Sequence, residues 1–410
     1  MATIKMVNVI GLGYIGLPTA LMMAAHGVEV VGTDCNEGLV AKLKAGRTTF
    51  KEKGLDELFV QALKSGIRFT TKYQACDMYI VSVPTPYNKV DKKIDPRYVV
   101  AACKAVLEVA PKGAVLVIES TISPNTVDRF VRPLLNGAGR QDVRLAHAPE
   151  RIIPGNMVWE LVHNNRTVGA DDPEVGERVA DVYASFCCGE ISVTDIRTAE
   201  MTKVVENTFR AVNIAFSNEL AKICRAGGMD VAEVIRIANK HPRVNILQPG
   251  PGVGGHCIPV DPWFLVGDYP EVANLIRLSL QTNASMPEYV LRCTHEVMRE
   301  QGIADVNKVG IYGLTYKEDV DDVRESPTLQ MLESMSDHLC SGSIKVYDPW
   351  VEQDVVPNQV HSMDAFLKDL EMVIVMVGHS QVKGKPEVFG GRVLIDPRDV
   401  MGHGDNVYKL

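Results

Sequence analysis

The stretch Gly11-Leu12-Gly13-Tyr14-Ile15-Gly16 decides the fold of this 410-residue chain. An apolar run at residues 5–10 leads directly into it, and a helix-compatible run at 17–25 and a second apolar run at 28–32 follow. This order is typical of a dinucleotide-binding unit, in which the three glycines allow a tight turn, close approach of the pyrophosphate and close helix packing. The free N–H groups at the start of the helix favour the negative pyrophosphate. We predict cofactor contacts from Gly11, Gly13, Tyr14, Ile15 and Gly16.

A carboxylate at the end of the second predicted strand indicates which dinucleotide binds. Asp34 lies 21 residues after Gly13. A carboxylate at this position accepts hydrogen bonds from the ribose hydroxyls and repels a 2′-phosphate. The sequence therefore favours NAD over NADP.

Strands and helices continue to alternate after this unit. Apolar runs at residues 78–83, 114–119 and 143–147 predict three further strands, each of which ends in a loop. Ligands of open α/β sheets bind at the carboxyl ends of the strands. Thr85 lies in the first loop and Thr121 in the second, where a hydroxyl either caps the next helix or faces a ligand.

The third of these loops carries the adjacent charged residues Glu150 and Arg151. They either form a surface ion pair with each other or face a ligand. Their position where a strand opens into a loop favours the second interpretation.

Residues 197–226 contain no proline and predict one long helix. Residues spaced by three or four positions share a helix face. Such a polar face is usually solvated, but most of the remaining circumference is apolar, which is typical of a buried helix whose polar groups need partners. A lysine and an asparagine one turn apart can hold an oxygen on which charge develops. The shared face carries Glu200, Lys203, Asn207, Arg210 and Ile214.

A glycine- and proline-rich loop at residues 249–264 carries a single thiol. Four glycines within residues 250–255 allow sharp bends and close approaches, and Cys257 follows them directly. Asp261 stands four residues after the cysteine. Either Cys257 is a nucleophile whose chemistry Asp261 tunes, or the loop merely contains a buried cysteine. The stretch alone leaves both interpretations open.

The remaining chain predicts a helical middle followed by a second α/β unit. Helices are predicted at 231–239, 272–280 and 288–301, and strands at 308–313, 343–347, 372–377 and 392–395. Ser326-Pro327 predicts the start of a helix over 328–339. The first loop of this unit lacks the full glycine pattern and carries Tyr316, Lys317 and Arg324, which suits a phosphate-bearing ligand.

The expected fold class is α/β, with two Rossmann-like doubly wound domains joined by a helical central domain that contains one long helix. We predict an NAD-binding domain at 1–195, a central helical domain at 196–302 with the Lys/Asn helix and the cysteine loop, and a C-terminal domain at 303–410.

Composition excludes several classes of protein. The net charge of −8 argues against a nucleic-acid-binding protein, which needs a basic surface. No apolar run is long enough for a membrane span, and the N-terminus lacks the pattern of a signal peptide. Nine scattered cysteines, without a Cys-x-x-Cys pair, predict reduced thiols in the cytoplasm and neither a disulfide framework nor a metal site.

Four motifs in order along the chain resemble those of the UDP-glucose/GDP-mannose dehydrogenase family. They are the Gly-x-Gly-x-x-Gly turn, Glu200-x-x-Lys203-x-x-x-Asn207, Gly254-Gly255-His256-Cys257-x-x-x-Asp261 and Lys317…Arg324-Glu325-Ser326-Pro327. The resemblance covers essentially the whole chain. Within the family, the cysteine motif is similar to that of the branch acting on UDP-N-acetyl-D-mannosamine, although Pro259 stands where a small residue is also familiar.

The resemblance implies an NAD-dependent, four-electron oxidation of a sugar C6 alcohol to a carboxylate, through a thiohemiacetal and a thioester on Cys257. It implies catalytic roles for Cys257, Lys203, Asn207, Asp261, Glu150 and Thr121. It adds Thr85, Thr121 and Arg324 to the NAD contacts. It places the UDP-sugar against Arg151, Ile152, Lys203, Asn207, Arg210, His241, Arg243, Gly254, Tyr316, Lys317 and Arg392. A homodimer or higher homo-oligomer and a role in polysaccharide biosynthesis are also implied.

Three other functions stay open at this point. UDP-N-acetyl-D-glucosamine or UDP-glucose is an alternative substrate. A two-electron β-hydroxyacid dehydrogenase also pairs a Rossmann domain with a Lys-x-x-x-Asn helix, but it needs neither the thiol nor a third domain. A non-catalytic sugar-nucleotide sensor has no use for a thiolate.

Overall fold

The computed structural model describes residues 4–337 and 344–410, which form two compact units. The first unit runs to Glu206 and also includes Trp263–Asp268, whereas the second comprises Asn207–Pro262 and Tyr269–Leu410. The division between the units therefore falls within the long helix. The three domain ranges derived from the sequence stay a prediction.

An eight-stranded sheet forms the centre of the first unit. Its strands are β1 Met6–Ile10, β2 Glu29–Thr33, β3 Arg68–Thr70, β4 Met78–Val81, β5 Val115–Ile118, β6 Arg144–His147, β7 Arg166–Ala170 and β8 Ile191–Thr194. Their spatial order is β3-β2-β1-β4-β5-β6-β7-β8, and every pair is parallel except β6 with β7. The order reverses between β1 and β4, and such a switch point is where doubly wound sheets bind ligands.

Helices flank the sheet of the first unit. They are α1 Gly16–Ala25, α2 Glu37–Lys44, α3 Leu55–Lys64, α4 Arg97–Val109, α5 Arg132–Gly137, α6 Met157–His163 and α7 Pro173–Ala184, and a π-helical turn at Val127–Val131 precedes α5. All four residues of β4 and of β5 are buried. This burial explains why the two strands read as unbroken apolar runs in the sequence.

The long helix α8, Ile196–Ala226, begins in the first unit and ends in the second. The other helices of the middle of the chain are α9 Val231–Ala238, α10 Asp261–Asp268, α11 Asn274–Ala284 and α12 Met286–Glu300. Buried side chains of α8, α9 and α12 share one hydrophobic core with the C-terminal strands. The predicted long helix and helical middle are confirmed.

A six-stranded, all-parallel sheet lies in the second unit. Its strands are β9 Val309–Tyr312, β10 Lys345–Tyr347, β11 Gln359–Val360, β12 Met372–Val375, β13 Val393–Asp396 and β14 Val407–Lys409, with helices α13 Pro327–Asp337 and α14 Met363–Leu367. Their order is β11-β10-β9-β12-β13-β14, again with a switch beside the first strand. The fold class is therefore the predicted one, with a Rossmann-like sheet towards each end of the chain.

The predicted start of α13 is confirmed in detail. The helix begins at Pro327, and the Ser326 hydroxyl accepts a hydrogen bond from the N–H of Thr328 at 3.1 Å. The predicted ends of two elements, at residues 338–339 and at 343, and Cys340 lie outside the described residues.

No helix among the described residues is both long enough and apolar enough to cross a membrane.

Candidate active site

The glycine turn after β1 is tight at two positions and open at the third. Gly11 has φ +87°, and a Cβ there would lie 2.3 Å from the carbonyl oxygen of Ser82. A Cβ on Gly16 would lie 1.9 Å from the carbonyl oxygen of Gly11. A Cβ on Gly13 would meet no atom within 4 Å among the described residues, and Gly13 is exposed. The space over Gly13 fits the close approach of a pyrophosphate to the backbone.

The acidic residue after β2 lies against this turn. The Asp34 carboxylate accepts hydrogen bonds from the N–H of Leu12 and of Asn36, both at 2.8 Å. It is half-buried, so that lone pairs on both oxygens stay available to a ribose diol. The predicted NAD residues Thr85 and Thr121 are also half-buried, on the loops that follow β4 and β5 of the same sheet. One edge of the sheet therefore brings together a set of groups that fits NAD.

Two further predicted cofactor residues lie on the glycine turn with half-buried side chains. Tyr14 and Ile15 pack against the core of the first unit, and the Tyr14 ring lies 4.4 Å from that of Phe50.

The two charged residues after β6 do not form the surface ion pair that was one of the two interpretations of the sequence. Glu150 and Arg151 do not pair as ions on the surface: Glu150 is 6% exposed and forms an ion pair of 2.5 Å with the buried Arg166 of β7. Arg151 pairs instead with Glu206, with a shortest distance of 2.6 Å. Arg166 and Glu206 were not predicted, because their partners are distant in the sequence.

Other contacts fix the same loop. The Arg151 guanidinium also donates to the Thr167 hydroxyl at 2.9 Å and to the carbonyl oxygen of Asn165 at 2.9 Å. The side chain of Ile152 is buried in the core of the first unit, which leaves its backbone for any contact with substrate.

The first turns of α8 carry two buried ionisable side chains of the predicted motif. Lys203 is 7% exposed. Glu200 is fully buried, and its carboxylate accepts hydrogen bonds from the N–H of Asn125 at 2.6 Å and of Val127 at 2.9 Å. Burial raises the pKa of Glu200 to about 7. Glu200 thus holds the chain just after the Thr121 loop, one helical turn before Lys203.

Three asparagines of α8 fasten the glycine-rich loop and the residues just before it, within the second unit. Asn207 donates to the buried Asp261 carboxylate at 2.6 Å. Asn213 bonds the backbone of residues 245 and 247 at 2.8 and 2.9 Å. Asn218 accepts from the N–H of Gly250 at 2.9 Å. These polar groups of the helix therefore find partners. The expectation that the helix is buried around most of its circumference is wrong, because Phe209, Phe216 and Ile223 are more than half exposed.

The cysteine lies at the end of the loop that these asparagines hold. Cys257 is exposed, which excludes the interpretation as a buried packing cysteine. Its carbonyl oxygen accepts hydrogen bonds from the N–H of Val260 at 3.1 Å and of Asp261 at 2.8 Å, where α10 begins. These bonds tie the backbone of Cys257 to that of Asp261, whose carboxylate is buried.

The glycines before Cys257 permit close packing on the first loop of the C-terminal sheet. A Cβ on Gly254 would lie 2.6 Å from the carbonyl oxygen of Glu325 and 2.6 Å from the Cβ of Tyr316. Gly255 has φ +87°, and its N–H donates to the carbonyl oxygen of Arg324 at 3.0 Å. The structure therefore brings the cysteine loop next to the predicted phosphate-binding loop.

The loop after β9 differs from the glycine turn after β1 in the environment of the aspartate that binds its backbone. Asp348, at the end of β10, is 2% exposed and accepts hydrogen bonds from the N–H of Leu314 at 2.6 Å and of Thr315 at 3.0 Å. The buried His379 lies 3.2 Å away on the same carboxylate. Asp348 thus shapes the loop from beneath, in an environment too buried for a ribose diol.

The remaining predicted substrate residues are less closely grouped. Lys317 is half-buried on the C-terminal first loop, and Arg324 pairs there with Asp322 at 2.5 Å. Arg392 donates to three main-chain carbonyl oxygens, those of residues 367, 370 and 389, at 2.7–3.0 Å. These bonds give Arg392 a structural role, and its contact with substrate stays a prediction. Arg210, His241 and Arg243 are exposed.

Comparison with known proteins identifies the family. Profiles of the UDP-glucose/GDP-mannose dehydrogenase family match three successive parts of the chain: the NAD-binding domain at 5–187, the central domain at 197–285 and the UDP-binding domain at 310–403.

Individual relatives extend over almost the whole chain. A UDP-N-acetyl-D-mannosamine dehydrogenase of Methanocaldococcus jannaschii is 41% identical over 92% of this chain and 87% of its own. An NDP-N-acetyl-D-galactosaminuronic acid dehydrogenase of Ralstonia nicotianae is 39% identical over 96% of each. The solved UDP-N-acetyl-mannosamine dehydrogenase of S. aureus has a TM-score of 0.88 at 42% identity, over 98% of this chain and 97% of that one. The chain belongs to the UDP-glucose/GDP-mannose dehydrogenase family and is an NAD-dependent oxidoreductase.

Proposed function

We propose that the protein oxidises the C6 alcohol of UDP-N-acetyl-D-mannosamine to the carboxylate, through a covalent intermediate on Cys257. The observation that carries this proposal is the exposed Cys257, whose carbonyl oxygen accepts a hydrogen bond from the N–H of Asp261, the residue whose buried carboxylate Asn207 holds. An alcohol dehydrogenase that stops at the aldehyde has no need of a thiol. An enzyme that continues to the acid must trap the aldehyde, and a cysteine does so by nucleophilic attack.

Each residue has a definite part in this reaction. Bound NAD supplies the hydride acceptor, once for each two-electron step. The Cys257 sulfur adds to the C6 aldehyde and forms a thiohemiacetal, whose oxidation leaves a thioester for hydrolysis. Lys203 and the Asn207 amide stabilise the oxyanion, and Asp261 activates the hydrolytic water. Glu150 and Thr121 assist proton transfer at the reacting carbon.

The diphosphate is held by basic groups, against the negative charge of the chain as a whole. Lys317 lies on the first loop of the C-terminal sheet, which the UDP-binding profile of the family covers. Arg324, on the same loop, is assigned to the phosphates of NAD. Guanidinium and ammonium groups are the usual partners of phosphate oxygens. The N-acetylated mannose is chosen because the M. jannaschii and S. aureus relatives carry it in their names.

A panel of substrates tests this function. We expect the purified protein to produce NADH fastest from UDP-N-acetyl-D-mannosamine, compared with UDP-N-acetyl-D-glucosamine, UDP-glucose and GDP-mannose, with two NADH formed per sugar. One NADH per sugar would favour a two-electron hydroxyacid-type enzyme. Faster oxidation of UDP-N-acetyl-D-glucosamine would overturn the choice of sugar, and binding without turnover would indicate a sensor.

We also propose that α8 mediates self-association. Within the second unit, Phe209, Phe216 and Ile223 recur every seven residues on this helix and are 65%, 52% and 53% exposed. Exposed apolar stripes of this kind mark interaction surfaces, and a second copy of the chain covers such a stripe symmetrically.

Changing one residue of this stripe tests self-association. We expect Phe216→Glu to convert a dimer or higher oligomer into monomers in light scattering, because a charge would be buried unpaired in the interface. The matched control is Trp159→Glu, which changes an equally exposed aromatic residue on α6 (55%) and should leave the mass unchanged. A monomeric wild type, or an unchanged mass of the Phe216 variant, would contradict the proposal.

The state of the cysteines is relevant to the cellular compartment of the protein. The eight cysteines among the described residues are free, which supports our proposal of a reducing, cytoplasmic location.

A further inference from the structure

A second buried carboxyl lies beside Glu150, at a position to which the family motifs assign no role. Glu119 follows β5 directly and is 1% exposed. Its carboxyl is hydrogen-bonded to the Tyr183 hydroxyl at 2.9 Å and to the Ser82 hydroxyl. Two residues later the chain reaches Thr121.

Glu119 connects the cofactor turn with the Glu150 loop. Ser82 lies under the glycine turn, since its carbonyl oxygen is the atom that a Cβ on Gly11 would strike. On the other side, Tyr183 lies beneath the guanidinium of Arg166, whose central carbon is 4.6 Å from the ring centre. Arg166 in turn holds Glu150 at 2.5 Å.

The charges of this cluster do not balance if both carboxyls are ionised. Glu119, Glu150 and Arg166 are 1%, 6% and 5% exposed, so two anions would share a single buried cation. Arg166 makes its close contact with Glu150, and its Nε has no hydrogen-bond partner among the described residues. The carboxyl of Glu119 has only hydroxyl partners there, and a hydroxyl oxygen can accept the proton of a neutral carboxyl as well as donate to an ionised one. A buried carboxyl without a cation in contact favours its neutral form, in which Glu119 donates its proton to one of these two hydroxyls.

We propose that Glu119 is a positioning residue: it carries the one proton of the Glu119–Glu150 pair and so leaves Arg166 to hold Glu150 as an ion. The inference rests on the proposed function in one respect, the catalytic role of Glu150. Neutral Glu119 fixes the position of the glycine turn relative to the loop that carries Glu150. An ionised Glu119 would compete for Arg166 and weaken the ion pair between Arg166 and Glu150.

The charged groups around Glu119 agree with this assignment. Burial, followed by the nearby charge of Glu150, raises the pKa of Glu119 to about 7, against the opposing effects of Ser82, Arg166 and Tyr183. Burial also lowers the pKa of His147, on the neighbouring strand β6, to about 4. His147 is therefore neutral at pH 7 and supplies no second cation.

The dependence of stability on pH tests where the proton lies, without any substrate. The folded protein keeps a proton on Glu119 up to about pH 7, whereas the unfolded chain releases it near the usual carboxyl value. Folding therefore loses stability as pH rises between these two values. Glu119→Gln removes this loss, so the melting temperature of the variant relative to wild type should increase from pH 5 to pH 8. A difference that does not change with pH, or that falls, would overturn the proposal.

Kinetic profiles test the positioning role. We expect wild-type kcat to decline as pH rises through about 7, and Glu119→Gln to retain the neutral-pH rate without that decline. Glu119→Leu, which keeps the volume but no hydrogen bond, should lose kcat by roughly tenfold or more at every pH. The role is overturned if the glutamine variant is as slow as the leucine variant, or if it keeps the wild-type decline. If the wild type oxidises no sugar nucleotide, the proposed function fails, and the melting temperatures still decide the position of the proton.

Discussion

Cys257→Ala is expected to lower the rate of acid formation at least about a thousandfold, since removal of a catalytic nucleophile can cost up to about 10⁶-fold in kcat. Without the sulfur the aldehyde cannot be held as a thiohemiacetal, so the second oxidation has no covalent substrate. The thiol is exposed, so alanine leaves no cavity in a packed core. The fold and NAD binding should therefore be retained, and NADH formation and cofactor binding can be measured separately.

A matched variant distinguishes a catalytic role of the Cys257 thiol from an indirect effect of removing any exposed thiol. Cys188 is also exposed, and it lies in the first unit, outside the predicted active-site loops. We expect Cys188→Ala to keep the wild-type rate and the ratio of two NADH per sugar. Normal acid formation by Cys257→Ala would refute the nucleophile, and equal losses in both variants would point to an indirect effect of thiol removal.

The parts of the fold that were predictable are those with a strong local signal. The glycine turn between β1 and α1, the proline-free helix α8 and the Ser326-Pro327 helix start depend on residues close together in the sequence. The strands that were missed are short or polar. β7 contains a buried arginine and β8 has no fully buried residue, so neither shows the apolar run by which β4 and β5 are recognised.

Pairing across the fold was the part of the site that sequence could not predict. Glu150 and Arg151 are adjacent in the chain, yet their ionic partners are Arg166 and Glu206. The backbone turns between the two side chains and sends them to different partners, which depends on the antiparallel placement of β7 and on the start of α8. The sequence predicted that these charges face a ligand, which stays a prediction, and only the fold identifies their ionic partners.

The Asn207–Asp261 pair is where the second large effect is expected. The amide donates to the buried carboxylate at 2.6 Å. Asn207→Asp would place two carboxyls face to face, and disrupting a buried pair in this way costs about 3–5 kcal/mol. It also removes an oxyanion donor, which by itself lowers kcat by about 10²- to 10³-fold. We expect an almost inactive, destabilised variant, measured by kcat and by denaturant unfolding.

The pH dependence of this variant follows from like-charge repulsion. Two facing carboxyls raise the pKa of one of them in the folded state, so the pair takes up a proton. Stability then falls as pH rises from the unfolded value through the raised folded value. The variant should accordingly unfold at lower denaturant concentration at pH 8 than at pH 5, relative to wild type.

Exchanging the two side chains separates structure from catalysis. Asn207→Asp together with Asp261→Asn restores one amide and one carboxylate across the same contact. Stability should therefore return close to wild type, whereas the rate should stay low, because the carboxylate now stands on α8, where the oxyanion needs a donor. If the exchange restores both stability and rate, the pair only holds the loop, and the chemistry assigned to Asn207 and Asp261 must lie elsewhere. A loss of rate that persists in a stable, exchanged protein is the result that a catalytic pair requires.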